Sequence, residues 1–154
     1  MTGLFGKLQL KDQKELLLLN APQEFQPHLG ELAGRAGWVA EMEPGKKYGF
    51  ILVFVLKCAE IDAIAAEVVS RLEPDGLLWF AYPKKSSKKY RSDIGRDDSW
   101  EALGKQGFEA VRQVAIDEDW SALRFRHASL IQSMKRDARL AMSDEGKQRT
   151  RPDR

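Results

Sequence analysis

The sequence is short of nearly everything that would announce a mechanism. It holds one cysteine, Cys58, in 154 residues. A single thiol cannot build an internal disulfide framework and suits a reducing compartment. The two histidines, His28 and His127, stand far apart and share no ligand spacing with Cys58, which argues against a zinc site and nominates no metal ligand. Charge of neither sign dominates: 25 Lys and Arg against 23 Asp and Glu leave a formal +2 at pH 7. No whole-molecule field therefore marks the chain as a nucleic-acid binder. Long apolar runs are missing too. The longest, Phe50 to Leu56, is far too short to span a bilayer, and Met1 to Lys7 carries no signal-peptide core. The expectation is a cytoplasmic protein with no membrane partner.

What remains is the composition of an ordinary globular protein, 43% hydrophobic and 31% charged. A chain of this size can bury roughly 68–70% of its unfolded surface in a single core without staples. Residues 1–142 read as one domain, and the polar stretch 143–154 as a disordered tail. Within the domain, Gly, Lys and Leu of residues 1–14 form a short lead-in turn or helix. Glu15-Leu16-Leu17-Leu18-Leu19-Asn20 is an unbroken apolar run, the pattern of a strand buried on both faces, and Pro22 stops it from continuing as a helix. Phe25, Leu29, Leu32 and Ala33 make one stripe of a helix over 24–34, with Pro27 in its first turn.

A second strand runs from Trp38 to Met42 and ends at Pro44-Gly45. Tyr48 to Leu56 is the most strand-like stretch and is expected at the centre of the sheet. Ile61, Ile64, Ala65, Val68, Val69 and Leu72 give residues 60–72 one full apolar helical face. Glu73-Pro74-Asp75-Gly76 reads as a turn before a buried strand, Leu77 to Tyr82. A polar loop covers 84–98, and Asp98 stands three residues ahead of Glu101 as a capping box for a helix ending near Gly104 or Gly107. Val111 to Ile116 and Ala122 to Arg126 read as an antiparallel pair, with a last helix over 128–142. Strands alternating with helices imply an α/β, Rossmann-like fold: a mostly parallel sheet of about six strands, an antiparallel edge hairpin, and helices on both faces.

Two stretches carry a resemblance. Leu72 to Lys84 is similar to the late strand of class I S-adenosylmethionine-dependent methyltransferases, and the final hairpin to their antiparallel edge. More narrowly, Pro74-Asp75-Gly76, Trp79, Pro83-Lys84, Asp93-Ile94 and Asp119-Trp120-Ser121 resemble a family of short bacterial proteins known as a domain of unknown function. That similarity covers about residues 2–127. It implies the methyltransferase-like fold and assigns no activity. The sequence departs from methyltransferases after the first strand, where their glycine-rich turn lets the backbone approach the cofactor. Here the turn is Asn20-Ala21-Pro22-Gln23, with no glycine before Gly30, which speaks against adenosylmethionine in the usual mode.

Ligands of open α/β sheets bind outside the carboxyl ends of the strands. Candidate cofactor contacts there are Asn20, just after the first strand, and Glu41 or Glu43, placed like the ribose-binding acid of a dinucleotide fold. The sharpest feature is Lys84-Lys85-Ser86-Ser87-Lys88-Lys89-Tyr90-Arg91. Lys84, Lys85, Lys88, Lys89 and Arg91 either hold a small anionic ligand or polyanion, with Tyr90 able to stack, or form a solvated loop kept extended by like charge. Asp93, Asp117, Asp119 and Ser121 complete the set. Asp117 or Asp119 is a general base or ligand anchor in one reading. In the other, Asp119 and Ser121 bond turn backbone while Trp120 plugs the sheet. Trp38, Trp79, Trp100 and Trp120 read as core. Two functions stay open: a non-catalytic binding or regulatory module on a degenerate methyltransferase-like scaffold, or a divergent transferase binding adenosylmethionine or a nucleotide.

Overall fold

The computed structural model describes residues 3–94 and 99–131. Their order is α1 (Gly3–Lys7), β1 (Glu15–Leu19), α2 (Gln26–Leu29) between two 3-10 turns, β2 (Gly37–Val39), β3 (Tyr48–Phe54), α3 (Cys58–Ser70), β4 (Leu72–Pro83), α4 (Glu101–Lys105), β5 (Phe108–Ala115) and β6 (Trp120–His127). The six strands form one sheet in the order β2-β1-β3-β4-β6-β5. The first four are parallel, and β6 runs antiparallel to both β4 and β5. This is a Rossmann-like mixed sheet with an antiparallel edge.

The leucine run explains why β1 lies inside. Successive strand residues point to opposite faces, so Leu16 and Leu18 join Phe5, Leu8, Phe25, Phe50, Leu52 and Trp79 beneath α1. Leu17 and Leu19 join Ile51, Val53, Ile61, Val68, Phe80 and Trp100 beneath α3 and α4. Both faces are dry, which is what a parallel sheet requires. The Trp79 indole N–H is satisfied within its core by the Leu8 carbonyl at 3.0 Å.

Several boundaries depart from the sequence pattern. The helix over 24–34 is broken into a 3-10 turn (Gln23–Phe25), α2 and a second 3-10 turn (Gly30–Leu32). Pro27, Gly30 and Gly34 give the segment little helical preference, and Phe25 and Leu32 anchor it. β2 is only three residues long, at the sheet edge, and Trp38 is 40% exposed rather than core. The turn at Glu73-Pro74-Asp75-Gly76 lies inside β4, as an irregularity between Leu72, opposite Tyr48, and Leu77, opposite Phe50. Asp75 takes a left-handed φ of 54° there. A Cβ on Gly76 would lie 2.9 Å from a Leu72 methyl and 3.1 Å from the Glu73 carbonyl, so the kink needs glycine. Ala128–Leu130 is a 3-10 turn. Of the helix read over 128–142, Ile131 is extended and residues 132–142 lie outside the described residues, as do the tail 143–154 and the cap Asp98. Among those described, no helix is long and apolar enough to cross a membrane.

Candidate functional site at the carboxyl edge of the sheet

The chain leaves β1 for β2 and returns on the other side as β3, so strand order reverses between β1 and β3. The carboxyl ends of these two strands are where an open α/β sheet offers its crevice. Asn20, at the end of β1, is exposed and takes φ 61°. Asparagine tolerates this left-handed conformation better than most residues, so Asn20 makes the turn that glycine makes elsewhere.

The chain's own polar groups fill the β3 side of this crevice. The Ser92 hydroxyl donates to the Leu56 carbonyl at 2.6 Å, and the Cys58 amide donates to the Asp93 carboxylate at 2.8 Å. Asp93 thus stands over the first turn of α3, where an anion is favoured. That amide bond is the main reason its carboxyl lies below the usual range. The Cys58 thiol reaches the Asp93 carbonyl and the Ser99 hydroxyl at 3.5 and 3.4 Å.

Glu24, which the sequence pattern does not single out, fastens the basic loop to the same edge. Its carboxylate accepts from the Tyr90 hydroxyl at 2.5 Å, the Trp120 indole N–H at 3.0 Å and Lys89 Nζ at 3.3 Å. Burial alone would raise the Glu24 carboxyl, but the bonds from Tyr90, Trp120, its own backbone and Lys89 outweigh it and lower the group to about 2. Tyr90 is pushed up to about 12, chiefly by donating to Glu24. The Tyr90 and Trp120 rings lie 4.9 Å apart, and Trp120 continues into Phe54 and Phe25.

The loop is therefore a built structure rather than a freely solvated strand of like charges. The Ser87 hydroxyl donates to Asp119 at 2.8 Å and accepts from the Lys89 and Tyr90 amides, while the Lys84 amide donates to the Asp119 carbonyl. Asp117 accepts from the Asp119 and Trp120 amides at 2.8 Å each. The two carboxylates shape turns. It is Asp117, not Asp119, that bonds the backbone through its side chain.

Among the described residues, the edge beyond β4 is open. A pocket of about 500 Å³ is lined by Tyr82, Lys84, Lys85, Ile94, Gln113 and Ser121, with Pro83 and Ala115 completing the wall. It lies on the α4 face, where the Tyr82 ring packs on Trp100 at 5.5 Å. Gln113 Nε2 donates to the Tyr82 and Ser121 hydroxyls at 3.2 and 3.0 Å. A serine that accepts keeps its own O–H for a ligand.

The expected residues thus divide. Lys84, Lys85 and Ser121 meet at one pocket. Lys89 is spent on Glu24, and Lys88 and Arg91 are exposed away from the pocket lining. Glu43 does not reach the carboxyl edge: its amide donates to the Tyr48 hydroxyl and its carbonyl accepts from Arg71, at the amino ends of β3 and β4. The short β2 turns back too early to carry it further. Glu41 is exposed just after β2. No group of three or more His, Cys, Asp or Glu able to hold a metal occurs among the described residues.

Comparison with solved structures supports the same architecture. A SAM-dependent methyltransferase from Aquifex aeolicus is similar with a TM-score of 0.55 at 13% identity, covering 79% of this chain and 86% of that one. The glycopeptide N-methyltransferase MtfA complexed with S-adenosyl-L-methionine gives 0.53 at 12%, covering 80% and 91%. The fold is methyltransferase-like. At these identities the likeness reaches no further. No protein-family model matches the chain, and no curated protein sequence matches it significantly.

Proposed function

We propose that this chain is a non-catalytic binding module on a methyltransferase-like scaffold, and that it takes a small anionic ligand in the pocket beyond β4. One observation carries the reading: the carboxyl edge is filled at β3 by the chain's own Ser92 and Asp93 and open at β4, where Lys84, Lys85 and the Ser121 hydroxyl face one cavity. Two ammonium groups supply charge, and the bonded set Tyr82, Gln113 and Ser121 supplies fixed hydrogen-bonding direction. On this reading the chain works in the cytoplasm, alongside the short bacterial proteins whose motifs it resembles.

A second reading, a divergent transferase binding adenosylmethionine or a nucleotide through Asn20 and Glu41, is favoured by the left-handed turn at Asn20 and by the fold. A thermal-shift screen separates the two, using carboxylates, sulfonates, nucleotides, adenosylmethionine and adenosylhomocysteine. A ligand at ~100 times its Kd adds about 2.7 kcal/mol of stability. The binding module predicts a saturable shift with a small anion that is lost in Lys84→Gln/Lys85→Gln. A shift with adenosylmethionine or adenosylhomocysteine that survives in that variant would establish the transferase reading instead.

A further inference from the structure

The opposite face of the antiparallel edge carries a second basic site. Arg124 and Arg126 alternate along β6 and so share the face toward α1, and Arg112 of β5 is the cross-strand partner of Arg124, just past the register shift after Ala110. Like charges placed directly opposite one another in a ladder repel. Arg126 donates from Nε and Nη2 to the two oxygens of Asp75, at 2.8 and 2.7 Å, and its cross-strand partner is the fully buried Glu109. Arg124 has one neutral partner, Gln9, whose Oε1 accepts from Nη1 at 2.8 Å. Its Nε is buried and has no hydrogen-bond partner among the described residues. Arg112 is exposed and makes no ion pair among the described residues. These groups line a cleft of about 210 Å³, closed by Val111 and Ile131.

An arginine pair set face to face repels, and an anion held between the two guanidinium groups relieves that repulsion. We propose that this cleft binds a phosphate-type oxyanion, the phosphate group of a small molecule, between Arg124 and Arg112. Arginine suits the task because its planar fork meets two oxygens of a phosphate at once. Arg126, held by Asp75, forms the fixed wall of the site, and Gln9 orients Arg124. The volume is below the roughly 300–1,000 Å³ of whole-ligand pockets, so the cleft takes the charged group and leaves the remainder of the molecule outside. Burial and the nearby Arg126 and Arg112 charges depress the Arg124 pKa, in the direction that a bound anion would reverse.

This inference does not rest on the pocket beyond β4, which lies on the other face of the sheet. The test is calorimetric titration of the full chain with pyrophosphate at constant ionic strength. Saturable binding is expected, weakened on the order of tenfold or more, about 1.4 kcal/mol, in Arg112→Gln and again in Arg124→Gln. It should be unchanged in Lys84→Gln/Lys85→Gln. Arg112 is exposed, so its variant guards against a folding artefact, and free of ligand it should melt no lower than the parent. No saturable binding, or binding that both arginine variants retain, overturns the site. Loss in the lysine variant alone would also overturn it and assign the anion to the other pocket.

Discussion

The two halves of the carboxyl edge are built from the same materials and end up differently. Over β1 and β3, three polar side chains at the edge meet partners within the chain: Asp93 meets the Cys58 amide, Ser92 the Leu56 carbonyl, and Glu24 the Tyr90, Trp120 and Lys89 donors. Over β4 and β6, Lys84 and Lys85 stand at a cavity whose lining, among the described residues, includes no carboxylate. A folded chain that satisfies its own groups gains rigidity and loses a site, because a ligand must compete with bonds already made. Groups left facing a cavity contribute little to stability and remain available. The difference between the halves is therefore a division of labour between holding the fold and meeting a ligand.

The largest test of this division is to break the frame on which both halves hang. Val53 is fully buried in β3 between β1 and β4. Val53→Asp places an unpaired charge where no group can answer it, at a cost of about 4 kcal/mol or more, enough to unfold a domain of ordinary stability. Circular dichroism should show loss of the native fold at 25 °C. A cooperative transition near the parent midpoint would mean that β3 is not central, and the contrast between its closed end and the open end of β4 would lose its basis.

The next test acts on the closed half alone. Glu24→Gln removes the charge that Tyr90, Trp120 and Lys89 converge on. The folded carboxyl lies near 2 against an ordinary 4.5, so its stabilisation is fully present above about pH 4.5 and is lost as pH falls through the folded value. With 24% of the side chain exposed the interaction is partly screened, and a loss on the order of 2 kcal/mol at neutral pH is expected. Denaturant melts at pH 7 and near pH 2 measure it. The parent and Glu24→Gln should differ clearly at pH 7 and converge in acid. A constant difference at both values would show that the latch works by shape rather than charge.

That latch also marks how far the sequence can be read. Strands and the long helix were legible because their signals are local: four leucines in a row, a Phe-Ile-Leu-Val-Phe run, and an apolar stripe through Ile61, Ala65 and Val68. The basic loop was visible as a run of lysines after a strand, and its place at the sheet's edge follows from that order. Glu24 was not visible. Its partners lie 65, 66 and 96 residues away, and nothing in Gln23-Glu24-Phe25 distinguishes it from any solvated acid. The arginine cluster was hidden for a related reason. Arg112 meets Arg124 only because the ladder slips one residue after Ala110, and a register shift has no signature in a single sequence. Trp38 misled because aromatic character predicts burial on average, while a three-residue edge strand leaves its outer face in water.

The smallest effect on stability should come from the lysines of the open half, and its smallness is informative. Lys89 pairs with Glu24 but is 57% exposed, and exposed pairs contribute 0–1 kcal/mol. Lys89→Gln should therefore lower the melting midpoint slightly, by less than Glu24→Gln does, since Tyr90 and Trp120 still hold the carboxylate. Lys84 and Lys85 have no ion pair to lose among the described residues. Lys84→Gln/Lys85→Gln should leave the midpoint within about 0.5 kcal/mol of the parent, as surface substitutions away from caps and networks do. Scanning calorimetry of the two variants side by side gives the comparison directly. If the double variant falls as far as Glu24→Gln, the two lysines hold the fold as Lys89 helps to do, and the open half is closed by contacts of its own. If it stays at the parent value while Lys89→Gln falls, neighbouring cations of one loop serve two different purposes, and the pair that costs nothing to remove is the pair that faces the cavity.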